Sequence, residues 1–514
     1  MTKNKFYVTT PIYYVNDNPH IGHAYTTILA DVLARFHRGM GDDVFFLTGL
    51  DEHGQKVQQA AEKRALTPQA HCDDLAPRFS GLWEKLEISH DDFIRTTEPR
   101  HVKVVQAVLQ AVYEKGDIYQ KEYEGLYSVA EERFITEKEA ESGQFRDVRR
   151  IQEKNWFFRM SRYQERLVRY IEEHPGFIRP EHRKNEMLGF LRQPLSDLCI
   201  SRPKTRLNWG IEIPFDRDYV TYVWFDALIN YITAPGYLAD NARFGHWWPV
   251  SVHLIGKDIL TTHCVYWTTM LFALDLPLPE TIFAHGWWLI AESKMSKSVG
   301  NVVNPLDLVG QYGVDAVRYY LMAEMVLGAD SNFTPENFIK RYNSDLANDF
   351  GNLLNRVSGL IGKYFDSVVP AALELSADDT VIMGQGAALG GRVEALLKEY
   401  KVDAAINEIM NLVRAVNKYM EVQAPWKLAK TDLPAAGRVL YVATEALRLA
   451  AVLLGAVMPE KSGQVLDVLG ARGTGLAWGG LKSGTRLTAH PPLFPRIETD
   501  PSRAAGSSVK GAGA

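Results

Sequence analysis

Two short clusters of nitrogen-bearing side chains stand far apart in this 514-residue chain: His20-Ile21-Gly22-His23 near its start and Lys294-Met295-Ser296-Lys297-Ser298 past its middle. The mouth of a helix gathers unpaired backbone N–H groups and partial positive charge, a natural seat for phosphate. Two imidazoles there, His20 and His23, can hold an α-phosphate while its charge moves in a transition state. Gly22 between them lets a ligand reach the backbone without meeting a side chain. Plain capping of a surface helix accounts for the same four residues. Lys294 and Lys297 act as point charges suited to β- and γ-phosphates rather than as bidentate forks; alone, two loop lysines read as solvated surface. Taken together, the clusters point to an enzyme that activates a carboxylate with ATP.

The histidine cluster needs a strand, Phe6 to Thr10, a turn around Pro11 and a helix from about Pro19 to Arg38. Ile21, Ala24, Ile28, Val32 and Phe36 recur at helical spacing and mark the face that seeks a core. The lysine cluster follows an apolar, aromatic-rich strand candidate, Thr281 to Ile290, so a loop at a strand end is expected. Further strand candidates, Val44 to Thr48, Phe93 to Thr97, Val252 to Gly256 and Ile282 to His285, alternate with helical patterns. That alternation predicts an α/β fold with a doubly wound, Rossmann-like parallel sheet. The sheet is split by an inserted domain and followed by an all-α bundle, whose helices are expected near Asp307 to Met322, from Pro335 onward, and near Met383 to Tyr400, Val402 to Gln423 and Ala435 to Val457. The expected division is 1–115 and 225–292 for the catalytic halves, 116–224 for the insertion, and 293–337 for the lysine loop and stem-contact region. A helical domain over 338–480 and a return segment and tail over 481–514 complete it; Ser502 to Ala514, rich in Gly, Ala and Ser, is expected to be disordered.

Other blocks carry a resemblance as well as chemistry: Thr9-Thr10-Pro11-Ile12-Tyr13-Tyr14-Val15-Asn16, Thr48-Gly49-Leu50-Asp51-Glu52-His53-Gly54, Tyr222-Val223-Trp224-Phe225-Asp226-Ala227 and Gly256-Lys257-Asp258-Ile259. With the two clusters, they make the chain resemble the class I aminoacyl-tRNA synthetases, most closely the methionyl-tRNA synthetase family, from about Phe6 to Arg496. The resemblance implies ATP with Mg²⁺ at His20, Gly22, His23, Lys294, Ser296 and Lys297, with the two histidines and two lysines catalytic. It also implies that Ile12, Tyr14, Asp51, Trp224, Ala227, Leu228, Tyr231, Ile259 and His263 bind L-methionine. On spacing alone Asp51 equally well caps the next helix, and Trp224, Ala227 or Leu228 and Tyr231 form an ordinary core stripe. Sulfur–aromatic contacts suit a thioether to such walls; the sequence leaves open which ring nitrogen of His263 carries the proton.

In the helical part, Asn352 and Arg356 lie four residues apart, away from the apolar face of Leu346, Phe350, Leu353 and Val357. They are expected to be exposed, as solvated surface helices are. The resemblance makes them, with Trp426, readers of anticodon bases, where an aromatic platform stacks an unpaired base and amide and guanidinium groups read its edges. The implied partners are initiator and elongator methionine-accepting tRNAs.

Composition bounds these readings. At 46% hydrophobic and 23% charged, with net charge −5, the chain is ordinary for a globular protein. No apolar run reaches the roughly 18 residues a membrane span needs, and no leader precedes the first strand, so a cytoplasmic protein of bacterial type is expected. Charge is uneven: Gln144 to Arg206 holds fifteen basic and eight acidic residues, a stripe that suits tRNA but also fits solvated helix faces. The three cysteines, Cys72, Cys199 and Cys264, form no CxxC pair. Ser128 and Glu131 stand where many family members carry a cysteine knuckle, so no structural zinc or other resident metal is expected. Some members also carry an appended C-terminal barrel; the chain reaches Ala514 without one, and a monomer is expected. Three other readings compete: a small-molecule nucleotidylyltransferase with the same histidine motif, a class I synthetase for another apolar amino acid, and a noncatalytic RNA-binding paralogue. The first has no use for Asn352, Arg356 and Trp426, the second fits the pocket blocks less well, and the third has no reason to keep both signatures.

Overall fold

The structure is a computed structural model and describes residues 4–16, 18–128, 133–135, 137–141, 147–290, 293–294, 303–371 and 374–498. Glu131, Ser296, Lys297 and the tail from Ser502 lie outside these residues. Its chain forms two compact units, one mainly of residues up to Trp288 and the other mainly of residues from Asn332 onward.

The first unit begins with β1 (Lys5–Tyr14), α1 (Ile21–Gly39), β2 (Asp43–Asp51), α2 (Gln55–Lys63), α3 (Pro68–Lys85), β3 (Asp92–Arg95) and α4 (Pro99–Glu114). The expected turn at Pro11 is absent, because β1 runs on to Tyr14. Its register against β2 shifts between Thr9 and Ile12, and that irregularity accommodates a proline with no N–H to offer the ladder. The β2 strand likewise extends beyond Thr48, which makes Asp51 its last residue.

The insertion supplies β4 (Ile118–Ser128), β5 (Arg133–Ile135), α5 (Glu137–Glu141), β6 (Val148–Phe158), α6 (Gln164–Glu173), β7 (Ile178–Arg179), α7 (Glu181–Phe190), β8 (Leu198–Cys199), β9 (Ser201–Pro203), β10 (Glu212–Ile213) and β11 (Asp216–Thr221). Two small antiparallel sheets result, β5-β4-β6-β8 and β10-β11-β9. The chain then passes through α8 (Val223–Ala227), α9 (Asn230–Thr233) and α10 (Asn241–Trp247) to β12 (Val252–Gly256), α11 (Thr268–Ala273) and β13 (Ile282–His285). The main sheet is parallel with order β3-β2-β1-β12-β13-β7. The insertion therefore is not a simple excursion: β7, from its middle, returns to pair with β13 through Ile282–Ile178 and Phe283–Arg179. Strands β12 and β13 are buried on both faces along nearly their whole length, as a parallel sheet covered on both sides requires. The face of α1 formed by Ile21, Ala24, Ile28, Val32 and Phe36 is buried.

Lys294 belongs to a two-residue strand, Ser293–Lys294, rather than to open loop. Next in chain order come α12 (Pro305–Tyr312) and α13 (Val314–Glu324), separated at Gly313, whose φ of 85° breaks the helix.

In the second unit α14 (Pro335–Arg341) runs into a π-helix, Tyr342–Gly351, and then α15 (Asn352–Phe365), so the long apolar stripe changes helical pitch midway. The bundle continues with α16 (Ala377–Lys398), α17 (Val402–Gln423), α18 (Pro425–Leu428), α19 (Leu433–Leu454) and α20 (Pro459–Val468). Packed by α15, α16, α17 and α20, α19 is apolar nearly all round and occupies the centre. No helix among the described residues is long and apolar enough to cross a membrane.

Candidate active site

Open parallel sheets bind ligands beyond the carboxyl ends of their strands. A cavity of about 450 Å³ lies there, reached by Tyr14 from β1, Asp51 from β2, Gly256 from β12 and His285 from β13. Its size falls within the range of small-molecule sites, about 300–1,000 Å³.

His20 and His23 meet at its rim, and the backbone explains how. His20 is the N-cap of α1: its Nδ1 accepts from Gly22 N at 3.1 Å, while His23 Nδ1 accepts from His20 N at 3.2 Å. This reciprocal capping box satisfies two helix-end donors. It also sets chemistry: a neutral imidazole that accepts at Nδ1 carries its proton on Nε2. Both rings, stacked with centroids 3.8 Å apart, thus present an Nε2–H donor. The capping and phosphate readings are two descriptions of one arrangement. A Cβ on Gly22 would sit 2.9 Å from His20 Cε1, so the glycine makes room for the imidazole.

Asp51, 4% exposed, lines the cavity. It does not cap α2, whose N-cap is Gly54 without a side-chain hydrogen bond. The neighbouring Glu52 turns inward, where Arg95 Nε donates at 2.7 Å and Thr97 Oγ1 also donates; burial pushes its carboxyl up.

The apolar end brings together Ile12, Tyr14, Trp224, Ala227, Leu228, Tyr231, Ile259 and His263. They come from β1, the short helices α8 and α9, a 3₁₀ turn (Lys257–Ile259) and a π-helix (Thr262–Trp267). The interval Trp224 to Tyr231 is therefore two short helices and not one stripe. His263 is assigned by its neighbours: Nδ1 lies 2.9 Å from Ile259 O, a pure acceptor, so Nδ1 donates, and Nε2 accepts from the Tyr231 hydroxyl at 2.9 Å. Burial pushes His263 down to about 4, keeping it neutral at working pH. Behind it, His253 Nε2 accepts from Trp267 Nε1 at 3.2 Å and Nδ1 donates to Thr9 Oγ1 at 2.7 Å; burial depresses this ring as well.

Sequence reasoning missed other cavity residues. Lys56 lies 5.9 Å from the Tyr14 ring centroid, and Asp258 accepts from Trp287 Nε1 at 3.2 Å. His285 donates from Nδ1 to Gly286 O and accepts at Nε2 from Thr26 Oγ1, both at 2.7 Å. A positional signal for some was present: Asp258 and His285 stand at or just past the ends of correctly placed strands.

In the helical unit, Asn352 opens α15 and is exposed, whereas Arg356, expected to be exposed, is half-buried. Its Nη1 donates to Asn417 Oδ1 at 3.2 Å, and its guanidinium lies 5.8 Å from the Trp426 ring centroid. The left-handed Ala424 (φ 45°) ends α17, and Pro425 starts α18, which carries Trp426.

The chain is similar to known proteins over nearly all of its length. The family described as tRNA synthetases class I (M) matches residues 6–144 and 140–358, and the anticodon binding domain of methionyl tRNA ligase matches 369–510. Methionine–tRNA ligase of Clostridium acetobutylicum is 45% identical over 510 residues, covering 97% of this chain and 79% of that protein. The chain belongs to the methionyl-tRNA synthetases. The Listeria monocytogenes methionine–tRNA ligase is 44% identical over 530 residues, covering 97% and 79%. Among solved structures, Mycobacterium tuberculosis methionyl-tRNA synthetase in complex with methionyl-adenylate superposes with TM-score 0.91 at 39% identity, covering 96% of this chain and 100% of that one. Its apo form gives 0.86 at 36%, covering 97% and 99%. The class I assignment and the α/β plus helical architecture follow.

Proposed function

We propose that the protein joins L-methionine to the 3′ end of methionine-accepting tRNA, both initiator and elongator, using Mg-ATP. The methionine carboxylate oxygen attacks the α-phosphorus, the bond to the β-phosphate oxygen breaks, and pyrophosphate leaves. A terminal ribose hydroxyl then attacks the adenylate carbonyl and releases AMP. In this reading His20 and His23 donate Nε2–H to the α-phosphate beside Gly22, and Lys294, Ser296 and Lys297 hold the leaving pyrophosphate. Asp51 pairs with the substrate ammonium, and the walls from Ile12, Trp224, Ala227, Leu228, Tyr231, Ile259 and His263 take the thioether. Asn352, Arg356 and Trp426 receive anticodon bases.

The observation that carries this reading is the cavity itself: a carboxylate and an apolar, aromatic chamber meet two like-tautomer histidines at one set of strand ends. Further expectations are a monomer, a cytoplasmic location, which suits three buried free cysteines and the supply of charged tRNA to translation, and no bound zinc. Sedimentation, cell fractionation and metal assay test these three. The function is tested by amino-acid-dependent ATP–pyrophosphate exchange over all twenty amino acids, then charging of initiator and elongator tRNA. Exchange specific to methionine is expected; exchange with none of the twenty overturns the reading.

A further inference from the structure

Between Trp224 and Ala227, both on the cavity wall, the chain places a carboxylate that does not line the cavity at all. Asp226 is fully buried. Its Oδ2 lies 2.6 Å from His53 Nδ1 and its Oδ1 2.7 Å from His101 Nε2. An ionised carboxylate only accepts, so both histidines donate from those atoms. Burial alone would raise the Asp226 carboxyl, but the two histidines outweigh it and hold it below its ordinary value.

The partners come from distant places. His53 stands two residues beyond Asp51 at the end of β2, and His101 lies in the first turn of α4. Of the run Asp51-Glu52-His53, Asp51 alone lines the cavity. Glu52 is anchored towards β3 by Arg95, with its carbonyl taking the Trp209 indole N–H, and His53 is anchored towards α8 by Asp226. Phe225, Leu228 and Ile229 around Asp226 are fully buried apolar residues. In such surroundings a buried ionic cluster is a poor source of stability compared with apolar packing; what it supplies is fixed geometry.

We propose that Asp226 is a positioning residue for the amino-acid substrate: through His53 and His101 it clamps the wall bearing Trp224 and Ala227 to the strand end bearing Asp51. The side-chain chamber and the ammonium site then keep one spacing, which only a ligand spanning both requires. This rests on the methionine reading of the cavity.

The test uses the full chain with Asp226→Asn, and His53→Gln as a milder second variant should the first not fold. ATP–pyrophosphate exchange gives KM for methionine at saturating ATP and KM for ATP at saturating methionine. Inhibition by 4-methylthiobutanoate, which lacks the ammonium, reports the chamber alone. Loosening the spacing should raise the methionine KM by roughly tenfold or more while the ATP KM and the inhibitor constant stay within about twofold. Pairing both substitutions should add little to Asp226→Asn alone. Parallel rises in both KM values, equal weakening of methionine and the deaminated analogue, or an unchanged methionine KM each overturn the clamp. A wild-type protein silent with methionine would overturn the underlying reading instead.

Discussion

Lowering the pH from 7 to 5 should destabilise the first unit through a ring that is almost wholly buried. His263 is buried and held at about 4, against about 6.5 for an unperturbed histidine. Folded, it binds fewer protons than the unfolded chain between those values, so stability climbs with pH across that window. The contribution is fully present above about 6.5 and drains away as the pH falls towards about 4. Integrated from pH 7 to pH 5, the single ring accounts for about 2 kcal/mol. His253 and His285, also depressed by burial, add losses of the same sign. The assay is urea unfolding by tryptophan fluorescence at half-unit pH steps, for wild type and His263→Asn. The variant should be less stable at pH 7, yet its stability should fall less steeply towards pH 5, by about 2 kcal/mol across the range. Parallel curves would refute the neutral, doubly hydrogen-bonded His263 and the tautomer derived from it.

Further expectations concern the two signatures and the specificity. His20→Asn keeps a good N-cap side chain but removes the Nε2–H donor, so melting should hold while adenylate formation falls by roughly a hundredfold or more; equal loss of stability would mean capping is its whole role. Lys297→Ala should slow adenylate formation by about a hundredfold, some 3 kcal/mol, measured by single-turnover quench. Trp426→Ala should weaken tRNA charging and leave ATP–pyrophosphate exchange nearly intact; matched losses would reject its anticodon role. Homocysteine, one methyl shorter, forgoes only about 1–3 kcal/mol of pocket contact and should support measurable AMP formation; none above background would contradict an apolar, size-based chamber.

Local pattern made some of this legible in the sequence and hid the rest. Val252–Gly256 and Ile282–His285 were placed correctly because short apolar runs bounded by turn residues mark buried parallel strands. The passage of β1 through Pro11 was hidden because a proline normally ends a strand, and only the register shift against β2 rescues it. With two residues, β7 is too short to show any period. The cavity residues read from the family blocks do converge, but their protonation depends on partners no local pattern reveals: the neutral state of His263 follows from Ile259 O and Tyr231. Asp226 looked like one letter of an aromatic block; its partners lie 173 and 125 residues away.

The pairing of β7 with β13 sets a limit on trimming this protein into a smaller scaffold. A designer who excises the stretch between β3 and β12 as a detachable module also removes the last strand of the main sheet. The strand left bare, Ile282-Phe283-Ala284-His285, is buried throughout in the intact fold. As a new border it would offer a row of unsatisfied amides on an apolar ribbon, a template for strand-to-strand aggregation. A minimal version should therefore retain Ile178 and Arg179 on a short tether, or put a charge or a proline on the bared strand.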